Sequence, residues 1–198
     1  MTKFLLLIIL IISIACKAGI GDSTKVKNII FLHTNYPLPA SGVTFKRVFT
    51  GVINVSWGYQ RLVYKNLYAG VCADYTLFKT SSKALDTKSK MQIISPSLCI
   101  GFQFTLLKKI IIFPTLHGGY AFITYKGKDA DGNPKPKFNE QGAFIRPSLF
   151  VGYLLSENIS IGLNGSYRVI FEHFGSNATL EDNTIRMADF GLGISYKL

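Results

Sequence analysis

Past its first eighteen residues this chain has no long hydrophobic run. None approaches the ~18–20 consecutive apolar residues that a membrane helix needs, although 48% of the 198 residues are hydrophobic. Charge is scarce at 17%, and acidic charge is scarcer, with 11 Asp and Glu against 22 Lys and Arg. No Ser-His-acid grouping can be assembled from spacing, which is where a hydrolase reading would have to begin. What the chain has instead is glycine, tyrosine and phenylalanine (18, 10 and 15) and a mean hydropathy of +0.26. Apolar composition without a spanning helix is expected of a transmembrane β-barrel, which spreads its oily residues over every second position.

The formal charge is +11, or +9 without Lys3 and Lys17. A balance this basic raises nucleic acid as a partner. The basic residues, however, are expected in loops and turns apart from Arg146 and Arg168, and that arrangement would fit an acidic lipid or lipopolysaccharide surface instead.

Residues 1–18 read as a signal peptide: Lys3, an apolar core from Phe4 to Ile12, then small residues at Ser13, Ala15 and Ala18. Cys16-Lys-Ala18 before Gly19 suits ordinary signal peptidase, whereas Ser13-Ile-Ala-Cys16 approximates a lipoprotein box, so cleavage and lipidation at Cys16 are both open here. Residues 19–198 form one domain on length. Within it, eight alternating or apolar runs are bounded by turn residues: Lys27–Tyr36, Val48–Leu62, Asn66–Lys79, Met91–Leu106, Ile110–Tyr125, Gln141–Leu154, Asn158–Phe174 and Thr184–Leu198. The connectors alternate in length. Val63–Asn66, Leu107–Lys109 and Leu155–Asn158 are tight, while Pro37–Arg47, Thr80–Lys90, Lys126–Glu140 and Gly175–Asn183 are longer. Tight turns and both termini on one rim, with longer loops on the other, is the layout of an outer-membrane barrel.

Face assignments follow from alternation. In the seventh run Ile159, Ile161, Leu163, Tyr167, Val169 and Phe171 oppose Ser160, Gly162, Asn164, Ser166, Arg168 and Glu172, with Ile170 as the exception. In the last run Phe190, Leu192, Ile194 and Tyr196 oppose Asp189, Gly191, Gly193 and Ser195. The fifth run is poorest, since Ile111 and Phe113 take the nominally inner side. Pro96, Pro114 and Pro147 each remove a ladder donor and are expected to mark bulges. Aromatics toward run ends (Tyr36, Phe49, Trp57, Tyr59, Phe78, Phe104, Tyr125, Phe144, Tyr153, Phe171 and Tyr196) are expected to form girdles at both rims.

This organisation resembles the small eight-stranded outer-membrane β-barrel domains of the OmpX-like and OmpA-transmembrane-like kind. The resemblance covers Lys27 to Leu198 and includes Asn66-Leu-Tyr-Ala-Gly-Val and Ala188-Asp-Phe-Gly-Leu-Gly-Ile-Ser-Tyr-Lys-Leu198. It implies a location in the bacterial (Gram-negative) outer membrane and a last strand read by the barrel-assembly machinery. Such strands usually close on an aromatic, where this chain has Leu198 with Tyr196 two residues back.

An eight-stranded barrel is just wide enough for side chains to fill it. The inward list contains Asp74, Arg146, Arg168, Glu172 and Asp189, read as a structural ion network plugging the barrel. If Ser156–Asn158 centres its hairpin, Arg146 and Arg168 lie opposite each other with Asp189 within diagonal reach. His117 and His173 are read as strand or rim histidines, and His173-Phe-Gly-Ser176 is no known nucleophile motif. Asp129-Ala-Asp-Gly-Asn133 with Glu140 imitates a calcium loop, but Pro134 stands where glycine is required. Cys72 and Cys99 fall on inward faces of adjacent strands, and a symmetric hairpin would set them opposite each other. A disulfide, in an oxidising compartment, and two small buried thiols are equally open readings.

The expectation is therefore an all-β, eight-stranded antiparallel up-and-down transmembrane barrel with no catalytic site, cofactor or metal. Its partners would be outer-membrane lipid and lipopolysaccharide, the assembly machinery, and an extracellular or envelope protein, with no nucleic acid. The role would be surface structure, adhesion or loop binding, or membership of an envelope complex. A lipid-A-modifying barrel enzyme and a soluble lipocalin-like carrier are the alternatives. A carrier requires the opposite polarity, with Leu163 and Leu192 inside and Arg168 and Asp189 outside.

Overall fold

The computed structural model describes residues 28–40, 45, 48–80, 89–127, 133, 137–172 and 184–198. The signal segment with Cys16, the His173–Ser176 stretch and most of the calcium-loop mimic lie outside them. The described chain forms β1 (Asn28–Pro39), β2 (Phe49–Tyr64), β3 (Leu67–Thr80), β4 (Lys90–Phe102), β5 (Phe104–Leu106), β6 (Ile110–Lys126), β7 (Phe138–Leu154), β8 (Ile159–Glu172) and β9 (Thr184–Lys197). Each strand pairs antiparallel with its neighbour in sequence except β4 and β5, β9 pairs with β1, and β4 pairs with β6. β5 continues the ladder of β4 against β6 without a change of register, since Gly101 pairs with Thr115 and Phe104 with Ile112. The sheet is thus a closed barrel of eight staves, one of them interrupted at Gln103. Closure leaves no unpaired edge, which a strand in hydrocarbon cannot tolerate.

The prolines do not shift the register as expected. Pro114 pairs in step with Leu149, and the ladders beside Pro96 and Pro147 resume on the same register after a gap. A missing N–H deletes a hydrogen bond without requiring an extra residue. The irregularities lie elsewhere, between Gly51 and Ile53 and between Leu62 and Tyr64. On the short-turn rim Lys65, Leu107 and Lys108 have φ of 48°, 50° and 59°, the left-handed values that tight hairpin turns demand.

Alternation sorts the faces. Leu98, Leu163 and Leu192 are 70%, 66% and 61% exposed on the outer wall, while Arg168 and Asp189 are fully buried inside. This is the reverse of a soluble carrier's polarity. No helix among the described residues is long and apolar enough to cross a membrane. The strands, at 12 to 17 residues apart from β5, exceed the roughly 9–11 that a tilted transmembrane strand needs.

The interior is layered. At the long-connector end Phe78, Met91, Ile93, Ala121, Ile123, Phe144, Ile170, Ile185 and Met187 form an apolar plug, with Phe45, Phe49 and Tyr125 packed against it. At the short-turn end Ile29, Tyr68, Ile111, Phe113 and Phe150 form a second, flanked by Leu62 and Leu154. Phe49, Phe78, Tyr125 and Phe144 therefore belong to the interior and not to a girdle. The reason is parity: Phe78 shares its face with Cys72, Asp74 and Thr76. Ile111, Phe113 and Ile170, the apparent exceptions to an all-polar interior, are parts of these plugs.

Candidate functional site

Between the two plugs lies a polar belt. Its charged centre is Asp74, which both inward arginines approach. Arg146 Nη1 donates to Asp74 Oδ1 at 2.5 Å and to Ser56 Oγ at 3.2 Å. Ser56 Oγ donates in turn to Asp74. Arg168 Nη2 stands 3.6 Å from Asp74 Oδ2 and 4.0 Å from Asp189 Oδ2. Its Nη1 donates to Ser95 Oγ at 3.2 Å, and its guanidinium lies 5.5 Å from the Phe144 ring centroid. Ser166 Oγ donates to Asp189 at 3.0 Å. Two guanidiniums and two carboxylates balance, which a belt removed from water requires.

Register produces this convergence. Ile145 pairs with Val169 and Ser148 with Ser166, which sets Arg146 level with Arg168. Asp189 opposes Ser166 and reaches Arg168 on the diagonal, while Asp74 comes from the far side of the barrel opposite Ser56 and Ser95. Glu172 pairs with Gly142 at the end of β8, and its side chain lies outside what is described. A second chain of bonds runs through amides: Asn164 Nδ2 donates to Asn35 (3.1 Å), Asn35 Nδ2 to Asn54 (2.9 Å) and Asn54 Nδ2 to Thr76 (2.7 Å). Asn164 and Asn35 sit on strands either side of β9, where Gly191 opposes both. A Cβ at Gly191 would come within 2.7 Å of Asn35 Oδ1.

Two histidines face this belt, and sequence reading singled out only one. His33 stacks between Phe31 and Phe150, with centroid distances of 4.8 and 5.2 Å. Gly193 stands opposite it on β9, and a Cβ there would collide with the imidazole. The inward parity of His33, shared with Phe31 and Asn35, was the available signal. His117 is buried opposite Arg146. Its Nε2 is 3.0 Å from Ser148 Oγ, and its Nδ1 faces Arg146 Nη2 at 3.0 Å. A Ser-His pair that works as a nucleophile needs a carboxylate on the second nitrogen to stabilise an imidazolium. Here a cation stands in that place.

Cys72 and Cys99 are both buried free thiols, with Cys72 Sγ directed at Cys99 Sγ at 2.7 Å. They are not directly opposed: Cys72 pairs with Ser97 and Cys99 with Gly70. The β3–β4 hairpin closes on Thr80 and Ser89, two residues off the symmetric register, which moves the cysteines onto a diagonal.

No protein-family model matches the chain, and comparison with curated proteins finds no match in sequence. Comparison with solved structures does find its fold. A major outer membrane protein from Thermus thermophilus superposes with a TM-score of 0.60 at 12% identity, covering 87% of this chain and 98% of the other. Neisserial surface protein A gives 0.55 at 15% identity, covering 86% and 97%. Ail, the attachment invasion locus protein of Yersinia pestis, gives 0.52 at 12% identity, covering 88% and 100%. With its apolar outer wall, closed sheet and filled interior, the chain has the fold of the small eight-stranded transmembrane β-barrels of the bacterial outer-membrane type.

Proposed function

We propose that this protein resides in the bacterial outer membrane as a non-enzymatic surface barrel whose long connectors bind or adhere to an external partner. The carrying observation is the inverted polarity combined with the two plugs. The wall is dressed for acyl chains, and the lumen is filled from end to end by packed and paired side chains. Among the described residues such a barrel shows no open channel, which leaves the connectors after β1, β3, β6 and β8 to meet other molecules. That two barrels sharing this fold are a surface protein and an attachment invasion locus protein supports the same reading.

The outer wall also carries a feature suited to the anionic outer leaflet. Lys79, Lys90 and Lys126 lie side by side on β3, β4 and β6, Lys79 paired with Lys90 and Lys90 with Lys126, and all are exposed. Like charges directly opposite repel, and none of the three makes a salt bridge among the described residues. They sit at the long-connector end of an apolar wall that includes Ile94 and Phe122. The phosphates of lipopolysaccharide would neutralise them there, with the acyl chains below.

Membrane fractionation coupled to gel mobility tests the proposal. The protein is expected in the outer-membrane fraction, running as a compact band in unheated detergent and shifting on boiling, with its connectors open to surface labelling. Recovery in the soluble periplasm would overturn the reading.

A further inference from the structure

Two thiols and an imidazole meet in the belt beside the ion network. The ligand atoms of Cys72, Cys99 and His117 all lie within 4.8 Å of one another, and all three residues are buried. Register assembles them from three staves: Cys99 opposes His117 across β4 and β6, and Cys72 arrives on the diagonal from β3. Thiolate and imidazole together are the ligand set that selects zinc-class or softer metal ions over magnesium and calcium.

Three details point to a metal and away from a disulfide. Diagonal positions of an antiparallel pair stand roughly 7–8 Å apart, whereas a disulfide needs a Cα separation of about 4.4–6.8 Å. The sulfurs themselves stand 2.7 Å apart, so an ion held at about 2.3 Å from each in a tetrahedral shell spreads the two side chains by about an ångström and leaves the backbone where it is. Second, the imidazole is oriented as ligating histidines are. Ser148 Oγ donates to the Thr115 carbonyl at 3.3 Å, so it accepts from His117 Nε2 and leaves the lone pair on Nδ1. Arg146 Nη2 faces that lone pair, but the guanidinium holds Asp74 and Ser56 through Nη1, and so can leave Nδ1 while keeping its carboxylate.

Third, a further ligand is at hand. Gln60 is 1% exposed, its Nε2 donates to Cys99 Sγ at 3.2 Å, and its Oε1 has no hydrogen-bond partner. The two ends of an amide have the same shape, so turning it over aims the unpartnered oxygen at the thiols. Gln60 and His117 also line an internal cavity of about 20 Å³, room for one water beside the ion.

We propose that Cys72, Cys99, His117 and Gln60 bind one divalent transition-metal ion of the zinc class inside the barrel. Both thiols lose their protons to solvent as the ion enters. A dication with two thiolates adds no net charge to a belt whose arginines and aspartates already balance.

The test uses the folded full-length chain in detergent micelles with Cys16→Ser, so that Cys72 and Cys99 are its only thiols. It is refolded into the micelles with Zn²⁺ or Co²⁺ present and freed of excess. About one metal ion per chain is expected, and Co²⁺ should give a thiolate charge-transfer band in the near ultraviolet. Both signals should vanish in Cys72→Ser/Cys99→Ser, and His117→Gln should weaken binding by about tenfold or more. Heat-modifiable mobility verifies that each variant is folded. If the double variant does not fold, the Co²⁺ spectrum of the parent decides, since oxygen and nitrogen ligation alone overturns the site. A folded parent that retains no metal, metal content unchanged in the double variant, or an intact mass two hydrogens lighter from a Cys72–Cys99 disulfide would each also overturn it.

Discussion

Asp74 is fully buried and lies within ion-pair distance of both inward arginines. Asp189 is the other carboxylate at hand, and it stands 4.0 Å from Arg168 alone. Asp74→Asn keeps the shape and removes the charge, leaving Arg146 with uncharged partners only. Breaking a buried pair by removing one partner costs about 3–5 kcal/mol. The urea midpoint of the folded barrel in micelles should fall accordingly. A loss within about 0.5 kcal/mol of the parent, the range of a neutral surface change, would show that the network does not hold the barrel together. The same scale accounts for what escaped the sequence reading. His33 carries no motif, and its place between Phe31 and Phe150 depends on Gly193 leaving room for the ring.

At the level of strands, pairing decides which side chains act together. Lys79, Lys90 and Lys126 are 11 and 36 residues apart along the chain yet adjacent in the sheet. Basic residues near an anionic membrane surface each contribute about 1 kcal/mol. Changing all three to Gln should weaken the preference of the folded barrel for lipopolysaccharide over neutral phospholipid micelles by about a hundredfold at low salt. An unchanged preference would detach the row from lipid recognition. β9 carries a different burden. It closes the barrel on β1 over eleven paired positions, from Ile29 with Lys197 to Pro39 with Met187, and the Leu198 amide donates to the Asn28 carbonyl at 2.9 Å. The end expected to address the assembly machinery is therefore also the seam.

For the molecule as a whole, the alternation of plug, belt and plug matters more than any single layer. Eight strands enclose a lumen that side chains can fill, and here aromatic and aliphatic groups close both ends around paired charges. A planar bilayer containing the purified protein should show no stable conductance. A persistent ohmic step would mean that one plug opens. The filled lumen also separates this barrel from carriers that use theirs to hold a ligand.

Most of the architecture was legible in the chain itself. Two-residue alternation assigned Leu163 and Leu192 to the wall and Arg168 and Asp189 to the lumen, and connector lengths told one rim from the other. Both signals are local, because a strand's side chains alternate whatever it pairs with. The eight runs match the staves to within a few residues, and only the fourth is divided, at Gln103. The β7–β8 turn set Arg146 level with Arg168 and Asp189 on its diagonal, but which inward residues meet across the lumen was not legible. It depends on the stagger between strands, and an offset of two residues in the β3–β4 hairpin moved Cys72 from opposite Cys99 to its diagonal. The grouping of Asp74 with Arg146 and Arg168, the plugs built from Phe78 and Phe144, and the Cys72, Cys99 and His117 cluster all arise across the lumen. Only closure of the sheet brings those faces together.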